Sequence, residues 1–307
     1  MHTAFKHPDC PLVIYTDLDG TLLDHDSYAF APALPALQRL ATLNVPVIPV
    51  TSKTLAELRV LGRELNLHGP CIVENGGVIA VPEGYFGDDS PLPIQDGYHL
   101  EYLSPHYETI VGHLNGLRKR FGFRFNGFAD LSTDAVAERT GLGTEEAQRA
   151  RQRLCSEPLA WDDSDTAFEQ FTTELNALGY TLVRGGRFYH VLGQTDKARA
   201  ISKLNAMFAR AGFTGYTSLA LGDSPNDSQM LLTADEEEGV MRTDGSWIDK
   251  GAEAAWGRSG GAGRGGGGGG GLRGGGGRGG GGAAGGGVVG GVGGGGGVGG
   301  GGGGGGG

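Results

Sequence analysis

The sequence predicts an α/β protein, a parallel sheet core interrupted by an inserted α+β domain. Three observations lead there. Short β-branched and apolar runs at residues 12–16, 45–50 and 70–74 alternate with stretches of helical periodicity, the signature of a parallel sheet with right-handed crossovers. From about residue 83 to 193 the pattern changes to helices alternating with antiparallel pairs. After that the parallel pattern resumes with one more helix and an apolar run at residues 217–221.

The first run, ending at Thr16, is short, apolar and bounded by a turn, so it reads as a strand buried on both faces. Residues 32–43 place Leu34, Leu37, Leu40, Ala41 and Leu43 on one helical face, with Pro32 tolerated near the start. The second run contains Pro46 and Pro49, which interrupt ladder hydrogen bonds and predict an irregular strand. It ends at Thr51-Ser52-Lys53-Thr54, after which Leu55, Leu58, Leu61 and Leu65 set a helical repeat. The third run passes through Asn75-Gly76-Gly77, a turn, into Val78–Val81. Residues 82–105 are rich in Gly, Pro and Asp and mark a boundary. The insert then reads as helices at 107–121, 144–155 and 166–178, and a hairpin of 180–184 with 187–192 about Gly185-Gly186. A helix at 196–211, with Thr195 as its cap, precedes the last strand. The chain therefore divides into core residues 1–82, insert 83–193, core 194–256 and a terminal tract 257–307.

The 307 residues include 62 glycines, and they are not evenly spread. Residues 257–307 are roughly three-quarters glycine. Such a segment has almost nothing to bury and maximal backbone entropy to lose, so it forms no packed core. Formal net charge is −10; the tract adds only Arg258, Arg264, Arg273 and Arg278, so the preceding residues carry −14. That acidity argues against a nucleic-acid partner, but not against a phosphorylated substrate held with a cation. Cys10, Cys71 and Cys155 are widely spaced and odd in number, which suggests no disulfide framework and fits a reducing compartment. With no signal-peptide apolar region and no run long enough to span a bilayer, the expectation is a soluble, cytoplasmic protein with no membrane partner. Oligomeric state is not legible.

Four features sit at strand ends or helix starts on one presumed edge of the sheet, where open α/β sheets bind ligands. Asp17 and Asp19 follow the first strand. At i and i+2 their side chains emerge on one side, so one can attack phosphorus while the other hands a proton to the leaving oxygen. Taken alone, Asp-x-Asp-Gly is equally a surface turn. Thr51 and Ser52 open a helix, where a hydroxyl and free N–H groups form an anion site; taken alone, they are a plain cap. Lys197 lies in a first helical turn, where the macrodipole disfavours a cation unless a counter-anion, such as a phosphoryl group, is near. Gly222-Asp223-Ser224-Pro225-Asn226-Asp227 ends the last strand and offers oxygen ligands suited to Mg²⁺. Order, spacing and placement agree across all four.

Asp17-Leu18-Asp19-Gly20-Thr21, Thr51, Lys197 and Gly222-Asp223-x-x-Asn226-Asp227 resemble the four ordered motifs of the haloacid-dehalogenase superfamily. Residues 50–54, Val73-Glu74-Asn75-Gly76-Gly77, Arg153-x-x-Ser156-Glu157-Pro158 and Arg184-Gly185-Gly186-Arg187-Phe188-Tyr189-His190 further resemble its mannosyl-3-phosphoglycerate phosphatase family. The resemblance runs from about Pro11 to Leu232. It implies a Rossmann-like parallel core with an α+β cap of the C2 type. Asp17 is then the nucleophile and Asp19 the general acid and base, while Thr51, Ser52 and Lys197 bind the phosphoryl group. Mg²⁺ is then held by Asp17, the Asp19 carbonyl and Asp223, with Asp227 placing waters. On the cap, Arg184, Arg187 and His190 are expected to face a phosphorylated sugar–glycerate substrate, since arginine forks suit a carboxylate. Another sugar-phosphate phosphatase or a phosphomannomutase-like transferase fits the same motifs. A reading from a different class is a non-catalytic phosphosugar-binding remnant or a misfolded product.

After Leu232 the chain departs from the family. Thr233-Ala234-Asp235-Glu236-Glu237-Glu238 stands where an apolar strand is expected, and the glycine tract follows. The expectation is that roughly the last 70 residues come from a shifted reading frame in a GC-rich gene, leaving the sheet without an edge strand. An uninterrupted gene and a matching intact mass would refute it.

Overall fold

The computed structural model describes residues 11–239 apart from 26, 88–89 and 186. The first part runs β1 (Leu12–Thr16), α1 (Leu34–Thr42), β2 (Val47–Pro49), α2 (Leu55–Glu64), β3 (Cys71–Val73), β4 (Val78–Pro82), β5 (Ile94–Gln95) and β6 (Tyr98–Tyr102). The middle holds α3 (Tyr107–Phe121), β7 (Phe125–Gly127), α4 (Thr133–Thr140), α5 (Thr144–Ala150), β8 (Ser156–Trp161), α6 (Asp165–Ala177), β9 (Tyr180–Arg184) and β10 (Tyr189–Gly193). The last part is α7 (Lys197–Arg210), β11 (Thr217–Gly222), α8 (Ser228–Thr233) and β12 (Glu236–Gly239).

The core sheet is parallel in the order β12-β11-β1-β2, and a parallel bridge from Val50 to Ile72 carries it on to β3. β1 is central and buried from Val13 to Thr16, as a strand covered on both faces must be. Tyr15 and Ile48 pack with Leu204 and Phe208 of α7 on one side; Leu37, Leu55 and Leu58 of α1 and α2 pack together in a second cluster. Pro46 and Pro49 shorten β2 to three residues, yet the Pro46 carbonyl still accepts from the Ile14 amide, because proline loses a donor and not an acceptor.

A wholly antiparallel sheet, β7-β8-β10-β9, carries the middle of the chain. Its core joins Ile110 and Leu114 of α3 to Phe125, Leu159 and Phe171.

Several elements differ from the sequence expectation. β5 and β6 extend antiparallel from β4, so residues 94–102 stay with the core strands although Gly, Pro and Asp at 82–105 suggest a break at residue 83. The helix expected over 144–155 stops at Ala150, and α4, β7 and β8 were not expected at all; β7 is three residues long, too short for a periodic signal. The cap of α7 is Asp196, which accepts from the Arg199 amide, whereas the expected Thr195 donates to the Gly76 carbonyl.

The largest correction is at β12. The sheet does not lack an edge strand after Leu232, because Glu236–Gly239 pairs in parallel with β11. Three consecutive glutamates carry no apolar pattern, but an edge strand needs backbone pairing on one side only, and charge there discourages further pairing. Asp235 fixes its entry by accepting from both the amide and the hydroxyl of Ser218. The frame-shift expectation and the glycine tract concern residues that lie mostly or wholly outside the described ones.

Candidate active site

The carboxyl ends of β1 and β11 abut, since the Asp17 amide donates to the Leu221 carbonyl. That pairing places Asp17 beside the loop after β11. Asp17, Asp223 and Asp227 are buried, and each offers a carboxylate oxygen within 4.8 Å of the others. Lys197, the first residue of α7, inserts its ammonium among them and donates to Asp17 Oδ1 and Asp227 Oδ1, both at 2.6 Å. The sequence expectation of a counter-anion for Lys197 is met, but by these two carboxylates.

Asp227 is buttressed as well as paired. Its Oδ2 accepts from the amides of Asp223 and Ser224 and from the Ser224 hydroxyl. Asp223 accepts from Thr21 Oγ1 at 3.2 Å, and a side chain at Gly20, φ +86°, would collide with its carboxylate. Gly20 is therefore required both for its left-handed backbone and for the closeness of Asp223.

Burial pushes the Asp17 carboxyl up to about 7 against the pull of Lys197, with Asp227 adding repulsion. Burial alone would lower the Lys197 ammonium, but Asp17 and Asp227 together raise it above its ordinary range. Three carboxylates around one ammonium leave surplus negative charge that a divalent cation offsets. The all-oxygen donor set suits Mg²⁺.

Asp19 does not share the Lys197 contact. Its carboxylate is paired at 2.8 Å with Lys53, a residue the sequence reading quoted without assigning it a role. Lys53 in turn is held above its usual value: burial lowers it, but Asp19 and then Glu57 raise it more.

The anion site expected at Thr51 and Ser52 is built differently. The helix starts at Leu55 with Thr54 as its cap, in a capping box with Glu57. The Thr51 amide donates to Ile72, and its hydroxyl, in a fully buried residue, accepts from the Lys53 amide. The helix N-terminus is thus occupied by its own capping box, and Thr51 sits one turn before it. Ser52 contributes a carbonyl that accepts from Arg153 Nη2 at 3.2 Å.

Of the three expected cap residues, Arg184 and Arg187 are exposed, and Arg187 donates to the Thr140 carbonyl at the end of α4. His190 is half-buried, with Nδ1 buried and without a hydrogen-bond partner among the described residues. Burial, with Arg153 assisting, pushes its imidazole down to about 3. Arg153 also meets Glu74, whose carboxylate accepts from the amides of Leu154 and Cys155 and from Ser156 Oγ. Nothing in periodicity or spacing distinguishes Glu74, Asn75 and Arg153 from turn and surface residues.

A family model described as haloacid dehalogenase-like hydrolase matches residues 14–113. A glucosyl-3-phosphoglycerate/mannosyl-3-phosphoglycerate phosphatase from Methanococcoides burtonii is 38% identical over 236 residues, covering 76% of this chain and 86% of that protein. Among solved structures, a Streptococcus mutans protein aligns at TM-score 0.54 and 18% identity over 79% of this chain and 90% of its own. A phosphatase of the haloalkanoate (HAD) superfamily from Bacteroides thetaiotaomicron aligns at TM-score 0.52 and 18% identity, over 74% and 82%. These two show likeness of fold. The extent and identity of the curated relative go further, and this chain belongs to the haloacid dehalogenase-like hydrolases as a phosphoric monoester hydrolase.

Proposed function

We propose that the chain is a Mg²⁺-dependent phosphatase acting on mannosyl-3-phosphoglycerate, releasing phosphate and mannosylglycerate through an aspartyl phosphate. The observation that carries the chemistry is the convergence of Asp17, Lys197, Asp223 and Asp227 at the ends of β1 and β11. The substrate class is supported by the name of the curated relative, which covers the glucosyl as well as the mannosyl compound.

In this reading the Asp17 carboxylate attacks phosphorus, a P–O bond forms, and the bond to the leaving glycerate oxygen breaks as Asp19 delivers a proton. Asp19 then takes a proton from water, which attacks phosphorus and returns Asp17 as a free carboxylate. Thr51, Ser52 and Lys197 hold the phosphoryl oxygens. Asp17, Asp223, the Asp19 carbonyl and, through water, Asp227 would hold Mg²⁺, which would supply electrostatic stabilisation of phosphoryl charge. Residues 105–193 act as a cap that excludes water and reads the leaving group. His190, within the field of Arg153, is the best placed of the expected cap residues; Arg187 is held on Thr140. The fit of Cys71 and Cys155, both free and buried, to a reducing compartment supports the cytoplasmic reading.

The test is phosphate release from mannosyl-3-phosphoglycerate, glucosyl-3-phosphoglycerate and simple hexose phosphates, with and without Mg²⁺, for the wild type and Asp17→Asn. Preference for the phosphoglycerates and loss of turnover in the variant are expected. Preference for hexose phosphates would point to another sugar phosphatase, and phosphate returned to a second hydroxyl would point to a mutase. Phosphosugar binding without any turnover would leave a non-catalytic protein.

A further inference from the structure

We propose that Asn75 binds the phosphoryl group, its side-chain Nδ2 donating to a non-bridging oxygen; this rests on the phosphatase reading above. Asn75 is 3% exposed, and its Nδ2 has no hydrogen-bond partner among the described residues. A buried amide donor left unmade is costly, so native structures seldom keep one without a use.

The backbone adds a second, independent sign. Glu74 and Asn75 are consecutive non-glycine residues in the left-handed region, φ 53° and 57°. Such conformations persist where the surroundings over-determine them, most often at ligand sites. Glu74 spends its carboxylate on residues 153–156. The Nδ2 of its neighbour has no such partner among the described residues.

Position supplies the ligand class. The Asn75 amide donates to the Thr51 carbonyl at 2.9 Å. Its Oδ1 accepts at 3.4 Å from Asn226, which lies between Asp223 and Asp227 in the chain. The next residue, Gly76, packs so closely on Asp196 and the Lys197 amide that no side chain fits. Asn75 is thus bracketed by the three segments that carry Thr51, Lys197 and the acidic loop. Lys197 already directs two of its three N–H groups at carboxylates, and a neutral donor complements it on a phosphoryl group without adding charge.

The experiment is calorimetric titration of the wild type, Asn75→Gly and Asn75→Asp with inorganic phosphate in the presence of Mg²⁺, together with thermal midpoints. Glycine adopts a positive φ readily, so Asn75→Gly should unfold no earlier than the wild type. Its phosphate Kd should rise about tenfold, the scale of one hydrogen bond to a charged group, and Asn75→Asp should bind more weakly still. Turnover should fall by the same factor for a sugar phosphate and for a small aryl phosphate. Unchanged phosphate affinity in Asn75→Gly, no phosphate binding by the wild type, or a loss confined to the sugar substrates would each overturn the proposal. Failure of the phosphatase reading looks different: no substrate is turned over, while the phosphate titration still reports on Asn75.

Discussion

Arg153 Nε lies 3.5 Å from Glu74 Oε2, and both residues are buried. This pair fastens the segment that leads into β8 to the turn after β3, and through Arg153 Nη2 it reaches the Ser52 carbonyl. A core turn, the Ser52 carbonyl and the middle of the chain are therefore held by one buried network.

Removing one partner of such a pair leaves the other charged, buried and unsatisfied, which typically costs about 3–5 kcal/mol. Arg153→Met is expected to destabilise the protein by that order, read as a lower urea midpoint. The double variant Glu74→Gln/Arg153→Met should recover part of the loss, because no lone charge remains. A double variant as unstable as the sum of the singles would show that the two residues act separately.

Lys53 sets the posture of Asp19. Without its ammonium at 2.8 Å the carboxylate loses its ion-pair partner, and with it the posture that the proposed proton transfer needs. Lys53→Met is expected to lower kcat/KM by about tenfold through misplacement of a catalytic group. Lys53→Arg keeps the charge and should retain most of the rate. Steady-state kinetics on the preferred phosphoglycerate distinguishes the two.

Metal removal should act through Asp223. Chelation is expected to abolish phosphate release and added Mg²⁺ to restore it. Asp223→Asn keeps the shape beside Gly20 but loses a charge, so the Mg²⁺ concentration for half-maximal rate should rise roughly 10–100-fold. An unaltered Mg²⁺ requirement would remove Asp223 from the ligand set.

Glu157 and His190 give the stability curve opposing slopes. Burial pushes the Glu157 carboxyl up to about 7, against hydrogen bonds from the Ala129 amide and Tyr107. From its ordinary value near 4.5 up to about 7 the folded state then holds a proton that the unfolded chain has lost, so stability falls as pH rises through that window. His190 is the reverse. Its folded value is about 3 against an ordinary 6.5, so the unfolded chain binds the extra proton there and stability rises with pH over that range. Glu157→Gln should remove one falling component, while Asp17, also raised to about 7, keeps another, so the variant's stability should fall less steeply between about pH 4.5 and 7 than the wild type's. Urea midpoints measured from about pH 4 to 8 in the two proteins check the sign.

The sequence by itself determined the alternation of the core and marked its candidate reactive residues. A strand buried on both faces must be continuously apolar, so β1 announces itself and ends visibly at Asp17 and Asp19. The helices at Tyr107–Phe121 and Lys197–Arg210 are long enough for their periodicity to show. What the sequence could not express is anything set by pairing across the chain. β12 is three glutamates and a glycine, recognisable only once β11 lies beside it. That Lys197 answers two carboxylates, that Asp19 belongs to Lys53, and that Glu74 reaches Arg153 all depend on contacts spanning from 30 to 180 positions. Local patterns record the faces that each element must bury. They do not record which charged group on a distant element completes a buried site, because that is decided only when the sheet closes and the solvent between the two is gone.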